Sequence, residues 1–142
     1  MIRAVVDTSV LIRYLIRPSA AIKTMIEEDW INGEFLMVSS PELVTELEDV
    51  LGREYIQRLI GPDEGQVLLE AISRQVELIP SLGEIPPYTR DAKDDKFIAC
   101  AIAGRAEYVI TTDADILALR SLANVQMVTP EMFVDILRRQ AS

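Results

Sequence analysis

Residues 2–12 read IRAVVDTSVLI and residues 108–117 read YVITTDADIL. Each opens with a short, β-branched apolar run, the pattern of a strand buried on both faces. The first run, Ile2 to Val6, stops at Asp7, and Thr8 or Ser9 can cap the helix expected after it. The second, Tyr108 to Thr111, leads to Asp113, with Asp115 two residues on. If both strands run parallel in one sheet, Asp7 and Asp113 stand at the same edge, the one where open parallel sheets bind ligands. Helix capping would account for either aspartate alone. Two of them at matching strand ends need a further reason, because neighbouring carboxylates repel unless a proton or a cation intervenes.

Outward from these segments, strands and helices alternate. Ala20 to Trp30 reads as a helix closed by Asn32-Gly33, and Phe35 to Val38 as a strand. Ser40 as N-cap and Pro41 at the first helical position open a helix through Leu51. Helical patterns continue over Tyr55–Ile60 and Asp63–Gln75, before a strand at Val76–Ile79. Pro80 to Ala92, with its prolines, reads as a surface loop. Asp94 to Ala103 is a helix ending at Gly104, Ile116 to Leu122 another, Val125 to Val128 a strand and Pro130 to Arg139 a closing helix. The alternation predicts an α/β fold: a three-layer α/β/α sandwich around a central parallel sheet of about five strands, in one domain spanning residues 1–142.

Composition narrows the chemistry. With 49% hydrophobic and 26% charged residues the chain can fold without staples. It has one cysteine, Cys100, and no histidine. That removes an internal disulfide, Cys/His zinc sites and nucleophile–histidine pairs, so any metal is held by oxygen, which favours Mg²⁺ or Mn²⁺. The apolar amino-terminal stretch is broken by Asp7, Arg13 and Arg17 and reads neither as a signal peptide nor as a membrane span, so a cytoplasmic protein is expected. A net charge of −9 argues against a simple nucleic-acid-binding module, which needs a basic footprint. It argues less against a protein whose acids meet phosphate through cations. Trp30 and the tyrosines form no stacking stripe for bases.

Further acids border apolar helix faces. In SSPELVTELEDVL, Glu46 lies beside the stripe of Leu43, Val44, Leu47, Val50 and Leu51; Glu48 borders the opposite edge, and Glu42 and Asp49 face solvent. Helix geometry alone does not choose between Glu46 and Glu48. In RDAKDDKFIACAIAG, Asp94 and Asp95 fall in the first turn of a nearly all-apolar helix. Asp94 lines up with Phe97, Ile98 and Ala101 on the face expected to pack, and Asp95 turns toward Ile102. Favourable placement against the helix dipole would explain one or both without function. An aspartate on a packed face, however, needs a partner.

VVDTSVLI, ELVTELEDVL, RDAKDDKFIACAIAG and YVITTDADIL, in that order, resemble the acidic segments of PIN domains, and most of all those of the bacterial VapC-like toxins of toxin–antitoxin modules. The resemblance covers nearly the whole chain. It implies a metal-dependent ribonuclease that hydrolyses RNA phosphodiester bonds with Mg²⁺ or Mn²⁺. By position it makes Asp7, Glu46, Asp94 and Asp113 the catalytic acids. Asp95 and Asp115 join them as metal ligands, with Asp94 favoured over Asp95 by the packing argument. Thr8, Ser9 and Thr111 would orient water, carboxylates or substrate. Ser9 stands where the family commonly has asparagine, and it keeps a hydrogen-bonding side chain. The resemblance further implies an antitoxin partner and a homodimer.

Two other classes gather acids around Mg²⁺ on a parallel sheet. A receiver needs an acidic pair at its first strand, a mid-chain phosphoacceptor and a late lysine; here VVDTS offers one acid and VELIPS no aspartate. A haloacid-dehalogenase phosphatase needs a second aspartate after the first, and D-T-S lacks it. A non-catalytic PIN scaffold that binds a protein partner is the remaining alternative.

Overall fold

The computed structural model describes residues 1–141. Strands β1 (Arg3–Val6), β2 (Leu36–Ser39), β3 (Val76–Leu78), β4 (Tyr108–Ile110), β5 (Ser121–Leu122) and β6 (Val125–Val128) form one sheet in the order β3-β2-β1-β4-β6-β5. All neighbours pair in parallel except β5, which runs antiparallel to β6. The helices are α1 (Thr8–Ile16), α2 (Ala20–Thr24), α3 (Pro41–Leu51), α4 (Glu54–Gln57), α5 (Glu64–Gln75), α6 (Ala92–Ala103), α7 (Ala114–Leu117) and α8 (Pro130–Ala141). None of the described helices is long and apolar enough to cross a membrane.

Strand alternation sorts the core into two layers. Ala4, Val6, Met37, Ile110 and Val128 face a cluster with Val10, Trp30, Leu47, Ile72 and Phe133. Val5, Val38, Val109 and Met127 face Phe97, Ile98, Cys100 and Ile116. Because consecutive side chains of a strand point to opposite faces, both faces must be covered, and the expected sandwich results. Phe133 anchors α8 edge-to-face against Phe35 and Tyr108, with ring centroids 4.9 and 5.7 Å apart. Cys100 is buried in the second cluster, as its apolar neighbours imply.

Local chemistry explains most boundaries. Ser40 caps α3 by accepting from Leu43 N, with Pro41 in the first turn. After α6, Gly104 leaves room where an added Cβ would lie 2.5 Å from Val38 Cγ1.

Four expectations are corrected. The helix expected over Ala20–Trp30 is α-helical only to Thr24 and widens to a π-helix over Met25–Trp30, with Ile31 N bonding to Ile26 O. The wider turn buries Met25, Ile26 and Trp30 together while Glu27 and Glu28 stay exposed. The helix expected over Ile116–Leu122 stops at Leu117, and β5 follows. Arg120, Ala123 and Asn124 all take positive φ, and the last two form the tight hairpin into β6. Glu42 does not face solvent: it is half-buried, and its Oε2 accepts from Leu82 N. The cap of α1 is Asp7, rather than Thr8 or Ser9.

Candidate functional site

Parallel register brings the ends of β1 and β4 together. Val6 pairs with Ile110, and Asp7 N donates to Ile110 O at 2.9 Å. Asp7 and Thr111, the next residues, therefore stand side by side at the carboxyl edge of the sheet. The Thr111 hydroxyl donates to Asp7 Oδ2 at 2.7 Å and accepts from Asp113 N at 3.0 Å. Asp7 also accepts from Ser9 N at 3.1 Å and from Ser9 Oγ at 3.0 Å. Only 5% of Asp7 is exposed. Burial pushes its carboxyl above the usual range, the Thr111 and Ser9 bonds oppose that, and the nearby Glu46 charge adds to it. Asp113 caps α7 through Oδ1, which accepts from Asp115 N and Ile116 N at 2.8 and 3.1 Å. Asp115 is exposed at the same edge.

Helix α3 carries Glu46 to this edge. Its Oε2 accepts from Thr8 Oγ1 at 3.2 Å and pairs with Lys96 Nζ at 2.9 Å. Of the two glutamates that the helix pattern left open, Glu46 lies at this edge, whereas Glu48 is exposed and faces a different groove, beside Pro41, Val44 and Val76. Lys96 is thereby an ion-pair partner of the cluster.

Helix α6 supplies Asp94, and its environment differs from that of the other acids. Its half-buried carboxyl has no hydrogen-bond or ion-pair partner among the described residues. Burial, followed by the charges of Asp113, Asp91, Asp7 and Asp115, pushes it up to about 6. Asp95 is the buried member of the pair, 4% exposed, which reverses the expected packing. The loop before α6 folds over that side, and Asp95 Oδ1 accepts from Thr89 N at 2.7 Å and Thr89 Oγ1 at 2.8 Å. The helix also starts earlier than expected, at Ala92, capped by Asp91, whose carboxylate accepts from Lys93 N. Asp91 is the acid that sequence reasoning passed over; its signal was its position three residues before Asp94, one turn earlier.

These acids share one edge and feel each other's charge. Among the described residues, however, no three carboxylates close around one point. Asp7, Glu46 and Asp113 are each turned into protein hydrogen bonds. The donors are all carboxylate and hydroxyl oxygens, the set that suits Mg²⁺ or Mn²⁺, and Asp94 leaves an unpartnered carboxylate among them. The fit to such an ion is therefore one of donor chemistry, not of a closed ligand set.

The geometry defines a doubly wound α/β protein with an oxygen-only acid cluster at its strand ends. Residues 3–115 match the PIN domain family, and the chain belongs to that family. No curated protein matches it in sequence. Its fold is similar to that of a chain in the crystal structure of VapBC2 from Rickettsia felis bound to a DNA fragment from their promoter. That likeness has a TM-score of 0.61 at 15% identity and covers 90% of this chain and 98% of that one. At this identity the likeness is one of fold.

Proposed function

We propose that this PIN domain is a metal-dependent endoribonuclease and the toxin of a type II toxin–antitoxin pair. The observation that carries the nuclease reading is Asp94, a carboxylate without a partner, crowded by other acids and raised to about 6. A fold retains such a group at a cost in stability, and a bound cation removes that cost.

In this reading Asp7, Asp94 and Asp113 hold Mg²⁺ or Mn²⁺, with Glu46 and Asp115 beside them. A bound divalent ion would stabilise charge on the phosphoryl oxygens and favour attack by water at neutral pH. Thr111 fixes Asp7 by donating to Oδ2 and ties it to the Asp113 backbone, so the two acids keep their spacing. Thr8 and Ser9 orient Glu46 and Asp7 in the same way. With no histidine in the chain, carboxylates are the side chains left to take the proton from the attacking water. Asp95 holds the loop at Thr89.

Family membership and the fold likeness to VapBC2 support the toxin reading. So does an apolar groove of about 640 Å³ between α1, the π-helix and α5, lined by Tyr14, Ile31 and Val67 and rimmed by Glu27, Asp63 and Glu64. Such a groove suits a partner helix with an apolar face flanked by basic residues.

The test is incubation of the purified chain with labelled RNA and DNA in Mg²⁺, Mn²⁺ or EDTA. Metal-dependent cleavage of RNA that disappears in D94N and D113N is expected. Cleavage that persists in EDTA, or in both variants, defeats the reading. For the partner, V67R should lose co-purification with a small protein encoded beside this gene while keeping nuclease activity.

A further inference from the structure

The outward face of α1 leads away from the acid cluster. Ser9, Ile12, Arg13 and Ile16 recur at the spacing of one helical stripe, while Thr8, Val10 and Leu11 are buried. Ser9 and Arg13 are exposed, and Ile12 and Ile16 are half-buried. The stripe starts at the cluster itself, because the Ser9 hydroxyl donates to Asp7 Oδ2 at 3.0 Å. It ends at Arg17, the C-cap, whose N–H donates to Arg13 O at 2.8 Å. By the rise of an α-helix, Arg13 and Arg17 stand about 6 and 12 Å beyond Ser9 along its axis.

With Ile12, Ile16, Pro18 and Ser19, the two arginines line a groove of about 530 Å³, and no acid is among its lining residues. The groove stays on the carboxyl side of the sheet: Ser19 Oγ donates to Glu131 Oε2 at 3.4 Å, and α8, which carries Glu131, begins just after β6 ends. Its lining contrasts with that of the larger groove, rimmed by Glu27, Asp63 and Glu64. Arg3 and Lys96 are engaged by Glu77 and Glu46, whereas neither the Arg13 nor the Arg17 guanidinium has a hydrogen-bond or ion-pair partner among the described residues. In a chain of net charge −9, two unpaired cations on one groove attract an anionic strand that most of the surface repels.

We propose that this groove binds the RNA strand on one side of the cut, with Arg13 and Arg17 holding its phosphates and Ile12, Ile16 and Pro18 forming an apolar floor. The inference rests on the nuclease reading above and adds to it the path of the substrate. Guanidinium groups suit phosphate because they stay charged and present paired donors. A single strand suits the floor better than a duplex, because its unstacked bases are free to lie on apolar side chains.

The test is fluorescence anisotropy of the purified chain with a labelled oligouridylate in EDTA, over a range of salt concentrations, together with steady-state cleavage in Mn²⁺. In binding, R13Q and R17Q should each reduce the slope of log affinity against log salt by about 0.7, and the double variant by about twice that. The double variant R13K/R17K should keep the wild-type slope, since both charges remain. In cleavage, R13Q/R17Q should raise KM roughly tenfold with kcat within about twofold of wild type, the pattern of lost uniform binding. The proposal is overturned if the wild type does not bind the oligouridylate, or if R13Q/R17Q binds it with an unchanged slope. It is also overturned if R13Q/R17Q changes the oligomeric state in gel filtration at unaltered RNA affinity, which would make this face a protein contact. A chain that binds as expected but cleaves no RNA in either metal defeats the nuclease reading and leaves the binding assigned to the groove standing, which separates the two failures.

Discussion

The two edges of the sheet handle charge in opposite ways. At the amino edge, Arg3 opens β1 and donates to Gly104 O through Nε and Nη2, at 3.0 and 2.6 Å, and to both carboxylate oxygens of Glu77 on β3. Glu107, just before β4, accepts from Arg3 N. Opposite charges meet there: Glu77 raises the Arg3 guanidinium, and Arg3 holds Glu77 below the usual carboxylate range. At the carboxyl edge like charges meet instead, with one lysine among them. The amino edge is arranged for the folded state as it stands. The carboxyl edge keeps like charges together, a repulsion that the proposed cation would relieve.

Breaking the carboxyl edge should give the largest effect. D113N or D94N should lower RNA cleavage by about 10³-fold or more, as expected when a charge-stabilising group is lost, with the circular dichroism spectrum unchanged. An equivalent break at the amino edge, E77Q, should leave cleavage within about twofold of wild type, since that edge lies across the sheet from the chemistry. Adding a divalent cation sharpens the contrast. Mn²⁺ at about 100 times its dissociation constant should stabilise the chain by about 2.7 kcal/mol in a thermal melt, and D94N should lose most of that gain.

The pH dependence of stability distinguishes the edges by sign. The folded-state value of Asp94, about 6, lies above the usual 3.8, so the folded chain binds this proton more tightly than the unfolded chain. The Asp94 contribution therefore lowers stability as pH rises from about 4 to about 6, and the loss is complete above that range. Without metal, D94N should be more stable than wild type at pH 7, by about 1 kcal/mol once partial exposure and screening are allowed for. The gain should vanish below pH about 4, where both states of the wild type are protonated. Glu77 has the opposite sign. Its lowered value stabilises the fold above its unfolded value, and that contribution is lost as pH falls through the folded one. E77Q should cost no more than about 1 kcal/mol, the smallest effect of the set, because the pair is exposed.

The strands were legible because each is short, branched and flanked by turn residues, and the position of Asp7 and Asp113 follows from parallel pairing alone. The hairpin of β5 and β6 was not. Two residues carry no periodicity, and Ala123 at φ 51° is an unusual choice for its turn. Asp94 was singled out through a packing argument that applies to Asp95 instead. Residues 97–101 are buried all round the helix, so the apolar pattern cannot say which side of its first turn is covered; the Thr89 loop decides it. The Lys96–Glu46 pair joins residues fifty positions apart on α6 and α3, and such a contact exists only once the sheet has set the two helices beside each other.

The pairing of Val6 with Ile110 has a consequence for how this protein would fail. Because Ala4 and Val6 look one way and Val5 the other, hydrophobic sorting alone fixes where the first strand stops against the fourth. The acids are aligned by the packing of apolar side chains on the strands that lead to them. Enlarging Val5 or Val109 so that β1 slides by one position would carry Asp7 out of reach of the Thr111 hydroxyl. Such a chain would be folded and silent, its chemistry lost to a misplaced strand rather than to a missing group.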